Sequence, residues 1–126
     1  MRFPLAVRYP DYDTKGHVNN AVFLTYFEVA RAHAWVDGMG QSPDFDFILA
    51  EATVRFVSEA MIGEPLDIEI TTSEVRTKAW VWGYVVRCPN DGRTVAEGST
   101  VQVMFDYATG RTVPIPDSLR ERLLMI

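Results

Sequence analysis

Four strand-like runs follow one another through residues 47–57, 64–76, 78–87 and 93–107, and a single amphipathic helix is the main element available to cover them. In the second run Leu66, Ile68 and Ile70 alternate with Asp67, Glu69 and Thr71, the period of two that marks a half-buried strand. The third places Trp80, Trp82 and Tyr84 on one face, and Pro89-Asn90-Asp91-Gly92 is a strong turn signal before the fourth. The helix is expected over 21–35, where Phe23, Tyr26, Phe27, Ala30 and Ala34 recur at helical spacing. Small Ala30 and Ala34 let it lie close against a sheet, and Gly38 and Gly40 are stop signals. A first strand over 3–9 precedes it, with Pro4 tolerable near its start or on an edge. Residues 106–116 read as a loop and 117–125 as a short terminal helix. One helix covers only one face of so long an antiparallel sheet. The other face must be short, curled or paired with another subunit, so the pattern predicts an α+β domain that forms an oligomer.

At 126 residues the chain supports one domain, 1–126, with a real core. Its net charge of -5, with no compensating basic stretch, argues against general nucleic-acid binding. No apolar run approaches the roughly 20 residues that span a bilayer, and residues 1–4 lack the apolar core of a signal peptide. Cys88 is the lone cysteine, which excludes an internal disulfide and points to a reducing, cytoplasmic setting.

The sequence Asp11-Tyr12-Asp13-Thr14-Lys15-Gly16-His17-Val18-Asn19-Asn20 interrupts the apolar pattern just before the helix. Two acids, a glycine, a histidine and two amides feed a helix N-terminus, where backbone N–H groups favour negative charge. A carboxylate beside such an end can attack an acyl carbon, or activate water to do so, while N–H groups hold the acyl oxygen. Asn19 and Asn20 each suit a helix cap or an active-site donor, and one can be each. Asp13 also has an ordinary use as a turn residue, and Asp11 reads as structural. His17 can line the pocket, bond the loop backbone, or act as acid or base. With His33 as the other histidine and no suitable cysteine or acid spacing, no metal site is expected. A Ser-His-Asp triad has no nucleophile elbow.

Residues 8–20, continuing through Tyr26-Phe27-Glu28-Val29-Ala30-Arg31, together with Asp106-Tyr107-Ala108-Thr109-Gly110-Arg111 and Pro114-Ile115-Pro116, resemble the hotdog-fold acyl-CoA thioesterases of the 4-hydroxybenzoyl-CoA thioesterase type. The resemblance covers nearly the whole chain. It implies a curved antiparallel sheet wrapped around a long central helix, pairing into dimers or tetramers with active sites at the subunit interface. It also implies hydrolysis of an acyl-CoA thioester without a metal or separate cofactor, coenzyme A being part of the substrate. The family's carboxylate falls on Asp13, three residues before Gly16, and the oxyanion-holding N–H groups fall near His17 to Asn20. We therefore assign catalysis to Asp13, His17, Asn19 and Asn20, and substrate contacts to Tyr12, Gly16, Val18, Phe23 and Arg55. Phe23 stands where relatives often carry tyrosine, so that hydroxyl is missing here.

Cations for the coenzyme A phosphates are sought among Arg55, Arg76, Lys78, Arg87 and Arg93, each of which also reads as surface charge. Glu28 and Arg31, at i and i+3, read as an ordinary helical ion pair, with Glu28 a reserve catalytic acid. Glu59 reads as a solvated loop acid, and the aromatic row 80, 82, 84 as core or interface. Two rival readings remain: a hydratase or dehydratase acting on acyl thioesters, which lacks its His-Phe-Pro type of run here, and a non-catalytic acyl-CoA-binding module.

Overall fold

The alternating runs become a six-stranded antiparallel sheet in the computed structural model, which describes residues 1–126. Its strands are β1 (Arg2–Leu5), β2 (Phe47–Phe56), β3 (Leu66–Val75), β4 (Ala79–Cys88), β5 (Arg93–Asp106) and β6 (Arg111–Thr112). They lie in the order β1-β3-β4-β5-β2, with the two-residue β6 paired to β5. The helix α1 (Val22–His33) runs on through one π turn, Ala34–Gly38, and α2 (Asp117–Leu123) closes the chain. A curved sheet around one long helix is the architecture the family resemblance implied.

The concave face carries the core because the alternation puts it there. Leu66, Ile68 and Ile70 of β3, and Trp80, Trp82 and Tyr84 of β4, are all buried beneath α1. Trp35 stacks on Trp80 with ring centroids 5.9 Å apart, and Phe27 stacks on Tyr84 at 4.4 Å. Ala30 and Ala34 are fully buried and let the helix approach. The aromatic row of β4 is therefore core, one of the two uses its spacing allowed.

Gly98 of β5 makes that approach possible at the sheet. A Cβ there would stand 2.6 Å from Phe27 Cε2 and would also collide with the Thr53 carbonyl of β2. One obstacle is backbone, so it cannot rotate away. Gly98→Ala is expected to destabilise the fold by about 2 kcal/mol through overpacking, read as a lower urea midpoint at unchanged slope.

Three expectations change. The first strand stops at Leu5 rather than at residue 9, because Pro10 sits inside a single 3-10 turn, Tyr9–Asp11, that leads the chain off the sheet edge. The loop after β5 pairs briefly as β6, Phe105 opposite Thr112 and Asp106 opposite Arg111. Glu28 and Arg31 form no ion pair: Glu28 is exposed, whereas Arg31 turns toward the sheet and is only 8% exposed. Helical spacing brings two side chains within reach, but burial of one decides that they do not meet.

Candidate active site

The polar decamer folds on itself before α1 begins. Asp13 Oδ1 accepts the N–H of Lys15 at 2.8 Å and of His17 at 3.1 Å. The Asp13 N–H donates to the His17 carbonyl at 2.7 Å, and the Gly16 N–H donates to the Asp13 carbonyl. Gly16 closes this turn at φ +75, a left-handed backbone that glycine adopts without steric cost. The N–H groups of His17 and Lys15, outweighing the small effect of burial, hold the Asp13 carboxyl below its ordinary 3.8. These bonds engage Oδ1; Asp13 Oδ2 makes none.

Asp11 is used differently. It is 1% exposed and accepts the Arg8 N–H at 2.9 Å, the Arg8 guanidinium at 3.0 Å and the Tyr26 hydroxyl at 3.0 Å. Its carbonyl accepts the Asn19 N–H. One acid ties the loop to the helix, as its structural reading expected, and the other borders solvent.

Asp13, Lys15, His17, Asn20 and Phe23 line a cavity of about 510 Å³ whose far wall is the segment from Phe56 to Ala60. Phe23 meets Phe56 edge-on at 5.7 Å, forming an apolar floor. His17 Nε2 lies 3.3 Å from Glu59 Oε2. Glu59 is exposed, as its reading as a loop acid expected, but it also borders this cavity. Sequence offered no signal for that contact, since the two residues lie on segments 42 positions apart. It depends on the antiparallel bridge of His17 with Met61 and on the Val18 N–H bonded to the Ala60 carbonyl.

The helix start divides its two asparagines. Asn19 serves structure: its Oδ1 accepts the Ala21 N–H at 3.0 Å and its carbonyl accepts the Val22 N–H. Asn20 faces the cavity. The N–H groups expected to hold an oxyanion are mostly taken, His17 by Asp13, Val18 by Ala60 and Asn19 by Asp11. The Asn20 N–H is the one of these four without a protein acceptor.

The assigned substrate contacts separate similarly. Phe23 and the buried Val18 belong to the Asp13 cavity. Tyr12 and Gly16 line its neighbour of about 650 Å³ on the other side of Asp13, with the Tyr12 hydroxyl accepting the Gly63 N–H at 3.2 Å. Arg55 is not brought to either. A β-bulge between Leu49 and Glu51 inserts one residue into β2 and reverses which residues face inward. Phe47 and Leu49 pair with Met104 and Gln102, but beyond the bulge it is Val54 and Phe56 that pair with the inward Gly98 and Ala96. Arg55 thus lies on the convex face, 3.3 Å from Glu97.

Arg76, Arg87 and Arg93 are likewise paired, with Glu74, Glu69 and Glu64. Lys15 has no such partner and borders the cavity. It stands on the loop itself, away from the strand ends that carry the other candidate cations. No three His, Cys, Asp or Glu side chains converge as a metal site would require.

A single curved sheet around a helix, with a carboxylate on the loop entering that helix, defines a hotdog domain of the thioesterase type. Residues 7–123 match the model of the thioesterase-like superfamily, and the chain belongs to it. Thioester hydrolysis is the chemistry that membership assigns. Long-chain acyl-CoA thioesterase FadM of Escherichia coli is 26% identical over 131 residues, covering 98% of this chain and 96% of that protein. A thioesterase from Thermus thermophilus, solved in complex with coenzyme A and Zn, superposes with a TM-score of 0.87 at 29% identity, covering 97% and 95% of the two chains. The PA5185 protein of Pseudomonas aeruginosa shares the fold at a TM-score of 0.90 and 19% identity, over 99% and 90%.

Proposed function

We propose that this chain hydrolyses acyl-CoA thioesters to the free acid and coenzyme A, with Asp13 as the reacting carboxylate. The observation that carries the reading is Asp13 at a cavity wall, one oxygen fixed by two N–H groups and the other unengaged. A thioester needs no strong nucleophile, because thiolate leaves readily. Asp13 Oδ2 attacks the acyl carbon, the thiolate of coenzyme A departs, and water hydrolyses the mixed anhydride to release the acid. General-base activation of water by the same oxygen is the other route, and the depressed carboxyl favours neither, since a weaker base is also a weaker nucleophile.

The Asn20 N–H and carboxamide are suited to hold the developing oxyanion, and loss of one such donor costs about 3 kcal/mol of transition-state stabilisation. Lys15 is suited to the coenzyme A phosphates. His17, beside Glu59, closes the polar wall. No metal and no separate cofactor enter this scheme. Two copies pairing along the free edge of β2 would complete the site. That edge exposes Leu49 and Phe56, and α1 exposes Leu24. The lone Cys88 suits a reducing cytoplasm, and no helix is long and apolar enough to cross a membrane.

The test is thiol release from a panel of acyl-CoAs. Tight acyl-CoA binding with no release across the panel would favour a binding module instead. The pH profile is a second check. Asp13 must be ionised, and its depressed value keeps it so down through the ordinary carboxylate value of 3.8. In His17→Gln, kcat is expected to stay level on the acid side down to that point. A carboxylate limb centred at pH 5 or above would remove Asp13 as the reacting group.

A further inference from the structure

Two turns along α1 from the Asp13 cavity lies a second one, of about 220 Å³, lined by Glu28, Arg31, Ala32, Phe45, Phe47 and Leu49. Its walls are mostly apolar, yet it holds a guanidinium that is largely withdrawn from water. Arg31 is 8% exposed, and its polar neighbour is the neutral Tyr84 hydroxyl rather than a carboxylate. Removing an unpaired charge from water is costly, so the site favours an anion. Glu28, at the rim, is exposed and does not neutralise it.

Two further observations converge on the same place. Phe45 holds φ 42, the one non-glycine residue with a left-handed backbone, and strain of this kind persists where the surroundings require it. Gln102, fully buried and paired across the ladder with Leu49, donates its Nε2 to Thr100 and leaves Oε1 without a partner. Turning its amide over would let Thr100 donate to the oxygen and would free the NH2 instead. Gln102 does not itself line the cavity; it is the ladder partner of Leu49, which does.

Both cavities lie on the seam between α1 and β2. Phe23 faces Phe56 at one end, and Arg31 lies with Phe47 and Leu49 at the other. Eight helical residues separate Phe23 from Arg31, about 12 Å. On β2 the same two ends, Leu49 and Phe56, lie seven residues apart, about 23 Å. An extended chain advances roughly 1.2 Å per bond, so an acyl group of on the order of ten to twenty carbons reaches from one to the other.

We propose that the Arg31 cavity receives the far end of the acyl group and selects a terminal carboxylate there, making an ω-carboxyacyl-CoA of that length the preferred substrate class. The inference rests on the thioesterase reading of the Asp13 cavity. Its test compares thiol release from ω-carboxyacyl-CoAs and from neutral acyl-CoAs of equal length. The wild type is expected to favour the carboxylated member by on the order of 100-fold in kcat/KM within a series of about ten to twenty carbons. In Arg31→Met the preference should vanish or reverse, while the neutral substrates remain within a few-fold.

If the wild type prefers the neutral substrate, or ignores the terminus, this inference is overturned and the thioesterase reading stands. A wild-type preference that survives Arg31→Met overturns the assignment to Arg31. If no thioester is cleaved, the thioesterase reading itself fails. Should Arg31→Met not fold, Arg31→Lys replaces it, retaining charge but losing the planar fork. A reduced but persistent preference is then expected, and an unchanged one counts against the proposal.

Discussion

Asp13→Asn is expected to lower kcat for acyl-CoA hydrolysis by on the order of 10³-fold while leaving the fold and KM nearly unchanged. The reason lies in how the two oxygens of Asp13 are used. Oδ1 organises the turn by accepting the Lys15 and His17 N–H groups, and an asparagine Oδ1 accepts the same two donors. The substitution therefore keeps the loop and replaces the unengaged, negatively charged Oδ2 by an NH2 that cannot attack an acyl carbon or take a proton from water. Thermal midpoint and circular dichroism should match wild type, so that a loss of rate reports chemistry alone. Equal hydrolysis of every acyl-CoA by the two proteins would show that the carboxylate does no more than close a turn. Asp13→Ala is a contrasting variant: it removes the acceptor as well, and should lose both rate and loop order.

The same residues show which parts of the molecule are legible in the sequence. The strands of residues 66–106 follow from alternation, because each is half-buried and a period of two has one reading there. The helix follows from its apolar spacing and small Ala30 and Ala34. Asp11 and Asp13 were separable by motif, and the structure gives them different surroundings for a physical reason: Asp11 is covered by Tyr26, one turn into the helix, and Asp13 is not. What escaped was set by single-residue irregularities and by distant contacts. A one-residue bulge at Leu49/Glu51 sent Arg55 to the convex face, and bulges leave little trace in a pattern of apolar residues. Glu59 was readable as an exposed acid, but its place beside His17 needs the bridge from His17 to Met61. Arg31 looked like half of an ion pair because helix spacing knows nothing of the sheet beneath it. Its burial beside Phe45 and Phe47 is tertiary information.

Asp11→Ala is expected to be the most destabilising single change near the site, costing about 3 kcal/mol at neutral pH. The carboxylate stands where the incoming loop, the 3-10 turn and α1 meet. Removing it deprives the Arg8 N–H and guanidinium of their acceptor and leaves the buried Tyr26 hydroxyl with no partner, an orphaned group costing about 1–3 kcal/mol by itself. Arg8 is largely exposed and regains water, so the Tyr26 hydroxyl and the lost loop anchor dominate. Burial and the neighbouring Asp11 carboxylate push the Tyr26 phenol well up, keeping it protonated and donating.

The pH dependence carries the sign of a depressed acid. Burial alone would raise the Asp11 carboxyl, but the Arg8 N–H, its guanidinium and the Tyr26 hydroxyl outweigh burial and hold it below 3.8. Its contribution is therefore fully present above the ordinary carboxylate value and is lost as pH falls through the depressed one. Urea unfolding of wild type and Asp11→Ala should differ by a constant margin from pH 8 to about 5 and converge below about 4. A margin that instead widened toward acid would mean that the neutral carboxyl is the form the fold prefers. The activity of Asp11→Ala supplies the last discrimination. Because the Asp11 carbonyl, not its side chain, accepts the Asn19 N–H, the start of α1 and Asn20 keep their backbone support. Folded Asp11→Ala should thus retain hydrolysis within about tenfold at low temperature, whereas a loss comparable to that of Asp13→Asn would place Asp11 in the chemistry as well.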